Sequence, residues 1–182
     1  MGSQVLIDSD QCRRTVARIA HEIAEHHPDP STVALVGLHT RGVPLAERLR
    51  GHIEQFSGVA PAIGTVDIAL YRDDVGVGGG RKGVVPVVGE TVLDFDITRH
   101  SVILVDDVLF TGRTIRAAID AVFDYGRPPK VELAVLVDRG PRELPIGPDY
   151  VGRNLPTSIG QRVTVHLAEV DGSDEVLLED SA

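Results

Sequence analysis

The stretch 101-SVILVDDVLFTGRT-114 decides how the rest of the chain is read. Val102-Ile103-Leu104-Val105 has the length and β-branched content of a buried strand. Asp106 and Asp107 follow at its end, then the small-residue turn Thr111-Gly112-Arg113-Thr114, then a helical pattern over 115–123. Such a turn leaves the first amides of the helix without intrahelical partners, and those donors together with the helix dipole favour a phosphate. The aspartates cannot serve the same phosphate, because like charges repel. A carboxylate accepts two hydrogen bonds and so suits vicinal hydroxyls such as the 2′ and 3′ oxygens of ribose. The stretch therefore reads as a site for a 5-phosphorylated ribose.

A bland reading competes. An Asp at a strand end often caps a helix, and Thr-Gly is an ordinary turn. Two adjacent carboxylates in that position, however, repel each other and lose hydration, which disfavours a purely structural role. The chain lacks GxxxxGK[ST], so it is not a nucleoside-triphosphate P-loop. Gly76-Val77-Gly78-Gly79-Gly80 lies in a polar stretch rather than between strand and helix, so it is not a dinucleotide fingerprint.

Outward from this stretch, strands and helices alternate. Val5-Leu6-Ile7 is a short strand, and Asp8 or Ser9 caps a helix over 10–26 with Cys12, Val16, Ile19, Ala20 and Ile23 on one face. Arg14, Arg18, His21 and Glu25 share another face, the pattern of a solvated surface. A strand over 32–37 runs into Leu38-His39-Thr40-Arg41-Gly42, and a helix over 43–56 follows. Val66, Ile68 and Leu70 alternate as a half-buried strand, 131–138 is a further apolar strand, and 142–158 is irregular and Pro-rich. Val163, Val165 and Leu167 form a late strand with 175–179 beside it as an edge. Between residues 72 and 96, six glycines break all periodicity, which suggests a flexible flap, with a short hairpin near 84–88. The expected architecture is α/β: a mainly parallel twisted sheet with helices on both faces. Thr40-Arg41, Asp106-Asp107 and Asp138-Arg139 each follow an apolar strand, so all three are expected on one rim, at the carboxyl ends of the strands.

Composition fits one soluble domain spanning 1–182. No apolar run is long enough to span a bilayer, MGSQVLIDSD shows no secretion signal, and Cys12 is the sole cysteine, so the expected location is cytoplasmic. No Cys/His cluster has zinc spacing. The net charge of −9 argues against nucleic acid until its distribution is considered. Residues 163–182 hold six acids and no Lys or Arg, an acidic tail from about 169, while 101–162 are balanced with eight acids and eight bases. A local basic face is therefore compatible with the acidic total.

VILVDDVLFTGRT resembles the phosphoribosyl-pyrophosphate (PRPP) motif of type I phosphoribosyltransferases. GLHTRG (37–42), DIALYRDD (67–74), LAVLVDRG (133–140), RELPI (142–146) and NLPTS (154–158) narrow the likeness. Together they resemble the bifunctional pyrimidine-operon attenuation regulators with uracil phosphoribosyltransferase activity, over about 13–171. The resemblance implies a type I phosphoribosyltransferase fold with a flexible hood or flap. It implies conversion of uracil and PRPP to UMP and pyrophosphate, in pyrimidine salvage. Asp106 and Asp107 would hold the ribose hydroxyls. The loop through Val108, Leu109, Phe110, Thr111, Gly112, Arg113 and Thr114 would hold the 5′-phosphate. His39, Thr40, Arg41 and Gly42 would hold pyrophosphate, with Arg41 as its clamp and Asp106, Asp107 and Arg41 as the catalytic set. Arg72, Arg139 and Val163 would lie near the base or flap. Mg²⁺ would bind mainly through PRPP rather than through protein ligands alone.

The resemblance also implies UMP- or UTP-dependent binding of leader mRNA through Arg18, His21, Glu22 and Arg153, and a homodimer or homotetramer. Ala17, the His26-His27-Pro28-Asp29 run and Gly147-Pro148 depart from the family's more basic pattern, and each departure removes a potential RNA contact. Two other readings stay open: a phosphoribosyltransferase for another base, and a nucleotide-sensing RNA regulator with little catalysis.

Overall fold

A computed structural model describes residues 3–69, 71, 90–158 and 160–180. The elements in chain order are β1 (Ser3–Ile7), α1 (Ser9–His26), β2 (Val33–Leu38), α2 (Gly42–Ser57), β3 (Ala62–Val66), β4 (Ser101–Leu109) and α3 (Arg113–Phe123), then β5 (Val131–Asp138), β6 (Tyr150–Asn154), β7 (Gln161–His166), α4 (Ala168–Asp171) and β8 (Glu175–Asp180). Five strands form a parallel sheet in the order β3-β2-β4-β5-β6, and three form an antiparallel sheet in the order β1-β8-β7.

β4 is the centre of the parallel sheet, and its sequence explains why. Ile103 and Val105 face a core shared with Val16 and Ile19 of α1 and Leu45 and Leu49 of α2. Val102 and Leu104 point the other way, into a core with Ile115, Ala118 and Val122 of α3. A strand covered on both faces needs apolar residues at every position, which is the run that the sequence shows. Each fully buried Leu or Ile here contributes ~1.5–3 kcal/mol. The expected parallel sheet with helices on both faces is thus present.

Local chemistry sets the helix ends. Asp8 caps α1: its carboxylate accepts the Gln11 amide at 2.8 Å, and the Gln11 side chain accepts the Asp8 amide at 3.1 Å, a reciprocal capping box. Cys12 on the inner face is buried, and burial together with the charge of Asp174 pushes its thiol up to about 11, so it stays a protonated apolar filler.

Several expectations change. The strand expected at 66–70 lies earlier, at Ala62–Val66, in register with Ala34–Leu38. After Val66 the chain leaves the sheet, with the Asp67 carboxylate accepting the Ala69 amide at 2.8 Å, and Ile68 is buried as a loop residue. Leu70 lies outside the described residues. The irregular 142–158 segment contains β6, a polar edge strand whose sequence YVGRN carries no apolar alternation. It is set by Asp149, whose amide and carboxylate both bond the Leu133 backbone at 2.8 Å, and by buried Tyr150. The late strand stops at His166, with Leu167 leading into α4. β8 is the middle strand of the small sheet rather than an edge, paired with β1 on one side and β7 on the other.

The acidic segment from residue 169 is folded through residue 180 as α4 and β8. Arg48 of α2 ties it down, donating to Glu169 at 2.6 and 2.8 Å and to Asp174 at 2.7 and 3.0 Å. Arg72, the hairpin expected at 84–88 and most of the flap expected at 72–96 lie outside the described residues. Within 90–96, Val92 bridges Thr65 of β3 in antiparallel fashion. Among the described residues, no helix is long and apolar enough to cross a membrane.

Candidate active site

Register brings the two signature loops together. Gly37 of β2 pairs with Val105 of β4, so the His39–Gly42 loop and the aspartate pair emerge side by side at the carboxyl ends of adjacent strands. β4 does not stop at Val105 as the apolar run suggested. It continues under Asp106 and Asp107 to Leu109 because β5 pairs with it throughout, from Val102↔Val131 to Leu109↔Asp138. Between the loops opens a crevice of about 330 Å³. His39, Thr40 and Arg41 line one side, Asp106, Asp107 and Val108 the floor, and Thr114 and residues 67–69 the remainder.

The floor is built by the backbone. The Asp107 amide donates to Asp106 Oδ1 at 2.9 Å and the Val108 amide to Asp107 Oδ1 at 2.8 Å. Asp106 is 8% exposed. Burial, reinforced by the charge of Asp107, holds its carboxyl well above the ordinary carboxylate range. A ligand that donates hydrogen bonds to the pair relieves that penalty.

Gly112 closes the turn over 111–114 at φ 90°, a left-handed conformation that glycine adopts without a Cβ clash. The Arg113 amide donates to Thr111 Oγ1 at 3.3 Å and the Arg116 amide to Gly112 O at 2.9 Å, so the turn lies at the helix start. The loop is braced from behind. Thr111 O accepts the amides of Glu143 and Leu144 at 3.0 and 3.1 Å, and Arg113 Nε donates to Glu143 at 2.6 Å. Arg142 donates to Phe110 O at 3.0 Å, Asp138 Oδ2 at 2.7 Å and Ile146 O at 2.9 Å. Nothing in the sequence pattern assigns Arg142 a role of its own. The four-residue spacing from Asp138 was its only visible signal.

The His39–Gly42 loop is equally fixed. The His39–Thr40 peptide is cis, the His39 amide donates to Val66 O at 3.1 Å, and its ring Nε2 lies 3.2 Å from Glu90 O. Arg41 donates through Nε and Nη2 to the two oxygens of Asp171, at 3.0 and 2.7 Å. The Arg41 guanidinium, with the Leu167 amide, holds the Asp171 carboxyl down at about 2. No short-range pattern links Asp171 to Arg41, 130 positions away in the chain.

The third expected pair, Asp138-Arg139, does not join the crevice lining. Arg139 is 8% exposed, with its guanidinium carbon 4.1 Å above the Phe110 ring, and it donates to Thr157 Oγ1 at 2.9 Å and Gln161 O at 2.6 Å. Val163 is buried nearby in the core. Parallel register carries the ends of β4 and β5 to the same edge, with Leu109 paired to Asp138, but the Arg139 side chain is taken up by Phe110, Thr157 and Gln161. Among the described residues, no group of three or more His, Cys, Asp or Glu side chains is placed to hold a metal.

A second concavity, of about 290 Å³, lies between α1 and β6 and is lined by Gln11, Arg14, Thr15, Arg18, Gly152 and Arg153. It unites Arg18 with Arg153 and adds Arg14. Arg18 also braces β6, donating to Val151 O and Gly152 O at 2.7 Å. His21 lies beyond the groove, stacked on Phe56 with ring centroids 3.5 Å apart.

The phosphoribosyl transferase domain model matches residues 6–169. Similar curated proteins include the bifunctional protein PyrR of Roseiflexus sp. (strain RS-1), 52% identical over 172 residues that cover 94% of this chain and 92% of the relative. PyrR of Halalkalibacterium halodurans is 50% identical over 177 residues, 97% of each chain. Among solved structures, the hypoxanthine phosphoribosyltransferase of Trypanosoma cruzi in complex with the product IMP aligns with a TM-score of 0.71 at 19% identity, covering 96% of this chain and 92% of that one. A hypoxanthine-guanine phosphoribosyltransferase from Bacillus anthracis aligns with a TM-score of 0.69 at 19% identity, covering 99% of both. At such identities the structural matches speak to the fold alone.

Proposed function

The chain belongs to the phosphoribosyltransferase family and, within it, to the bifunctional PyrR proteins, and from that premise we propose that it converts uracil and PRPP to UMP and pyrophosphate and regulates pyrimidine-operon attenuation through leader mRNA. The observation that carries the reading is the placement of Asp106 and Asp107 on one crevice floor, between the Gly112 turn and the Thr40-Arg41 loop.

In this reading the ribose hydroxyls donate to the two carboxylates, and the 5′-phosphate sits on the turn over 111–114. Charge-assisted bonds of this kind are worth ~1.5–3 kcal/mol each. Arg41 and the His39–Gly42 loop take the pyrophosphate. The bond from the ribose anomeric carbon to the pyrophosphate oxygen breaks as the bond to the uracil nitrogen forms, and the proton lost from that nitrogen passes to the departing pyrophosphate or to solvent. Charge develops on the departing pyrophosphate, so fixed donors aimed there lower the barrier and no protein nucleophile is required. The carboxylate-rich floor suits an oxygen-seeking cation brought in by substrate, and Mg²⁺ bound with PRPP would neutralise pyrophosphate charge there. Arg139, Val163 and Arg72 are assigned to the nucleobase side of the site on the family resemblance alone.

The RNA half rests on the Arg14, Arg18 and Arg153 groove, three cations on a chain that is acidic overall. The working assembly is taken as a homodimer or homotetramer.

The direct test is product formation from PRPP–Mg with uracil, hypoxanthine and orotate in parallel. UMP should form and the other nucleotides should not. Asp107→Asn should lower turnover with uracil at least ~tenfold, each decade being ~1.36 kcal/mol of barrier. A variant with unchanged kcat/KM would overturn the role of the aspartate pair, and activity with hypoxanthine instead would overturn the base assignment.

A further inference from the structure

We propose that Asp171 is a positioning residue for pyrophosphate: it fixes the Arg41 guanidinium on the crevice wall so that its remaining donors meet the phosphates already aligned. The inference rests on Arg41 binding pyrophosphate and adds the residue that sets its geometry.

Arg41 stands at the N-cap of α2, beside a loop that lines the crevice. A free arginine there would sample many rotamers, and each would have to be given up on binding. Asp171 removes that freedom in advance. Both of its oxygens engage the guanidinium, one from Nε and one from Nη2, which fixes the plane of the fork as well as its distance. Nη1 makes neither of these bonds, so it keeps its donors for a ligand.

Asp171 is itself held independently of Arg41. Its Oδ2 accepts the Leu167 amide at 2.9 Å, and the Asp171 amide donates back to Leu167 O. The helix that carries it is anchored to α2 by Arg48 through Glu169 and Asp174. One helix, α2, thus presents Arg41 at its start and receives α4 at Arg48, about two turns later. The small antiparallel sheet is clamped on the same helix that bears the pyrophosphate loop. Arg48 reads as the mechanical tie and Arg41–Asp171 as the functional one.

The experiment is steady-state kinetics and pyrophosphate inhibition on Asp171→Asn, with Arg41→Ala, the double variant and Asp174→Asn alongside. Asp171→Asn should raise KM for PRPP and the inhibition constant for pyrophosphate about tenfold, the scale of one immobilised side chain. It should change kcat less than threefold and leave KM for uracil unchanged. Added to Arg41→Ala, it should have no further effect. Asp174→Asn loosens the same helix and should lower the melting temperature without moving either PRPP constant.

If Asp171→Asn leaves both constants unchanged while Arg41→Ala raises them, Asp171 is structural and the proposal falls alone. If it lowers them, Asp171 competes with the ligand, and the proposal is equally wrong. If Arg41→Ala has no effect, the pyrophosphate reading fails and takes the proposal with it. Should Asp171→Asn not fold, Asp171→Glu keeps the charge but shifts the fork, and should move the same constants in the same direction.

Discussion

Gly42 lies so close to Val105 that a Cβ on it would sit 2.2 Å from the Val105 carbonyl oxygen. The start of α2 therefore rests directly on the backbone of β4, one residue before Asp106. That contact fixes the spacing between the His39–Gly42 loop and the aspartate floor. Gly42→Ala must push the loop outward, and a misplacement of about 1 Å costs roughly a hundredfold in catalysis. Circular dichroism should show the fold retained while kcat/KM falls about that far. Activity within threefold of wild type would show that the loop is positioned by something else.

Asp106 should make stability depend on pH in a direction opposite to that of an ordinary ion-paired carboxylate. Its carboxyl titrates above its unfolded value, so between about pH 4 and the raised value the folded chain holds a proton that the unfolded chain has lost. Stability therefore falls as pH rises through that window. Asp106→Asn removes the penalty and should melt higher than wild type at pH 8 without ligand, the gain vanishing below about pH 4. Melting curves that differ equally at both pH values would contradict this.

Glu132 is 4% exposed and gathers three partners: His27 Nε2 at 2.7 Å, Lys130 Nζ at 2.8 Å and the Tyr150 hydroxyl, which donates at 3.1 Å. It links the end of α1 to β5 and β6. Glu132→Ala strips acceptors from groups at this junction and should cost about 2–3 kcal/mol, whereas Tyr150→Phe removes one donor and should cost about 1 kcal/mol. Urea unfolding of both variants checks the order, and a larger loss for Tyr150→Phe would refute it.

In the groove between α1 and β6, the arginines should separate by role. Arg14→Ala and Arg153→Ala should weaken leader RNA binding and lower the salt slope by about one each, with little change in melting. Arg18→Ala should lose stability as well, because its guanidinium bonds Val151 O and Gly152 O. Gel shifts with UMP at several salt concentrations, against random RNA, decide this. Equal affinity for both RNAs would remove the groove from regulation.

What the sequence disclosed follows from how local each signal is. The bounds of β5 match their reading, because an apolar run between charged residues is a self-contained signal. β4 outruns its apolar stretch because pairing with β5 carries the strand beneath Asp106 and Asp107, which look like a stop in the sequence. β6 was invisible because a polar edge strand with one buried anchor has no periodicity of its own. The Gly112 turn was legible from Thr-Gly before a helix. The partners of Arg41 and Arg48 were not, because they meet acids 121–130 positions away. No short-range pattern encodes contacts at such separations.

The central place of β8 has a consequence for the order of assembly. The parallel sheet closes through neighbours of moderate separation, but β8 joins Glu179 to Ser3, near opposite ends of the described chain. Loops that long close late and reopen readily. Amides of β1 and β8 are therefore expected to exchange with deuterium before those of β4 and β5. A molecule caught in that partly opened condition would keep its aspartate floor while losing the Asp171 brace on Arg41.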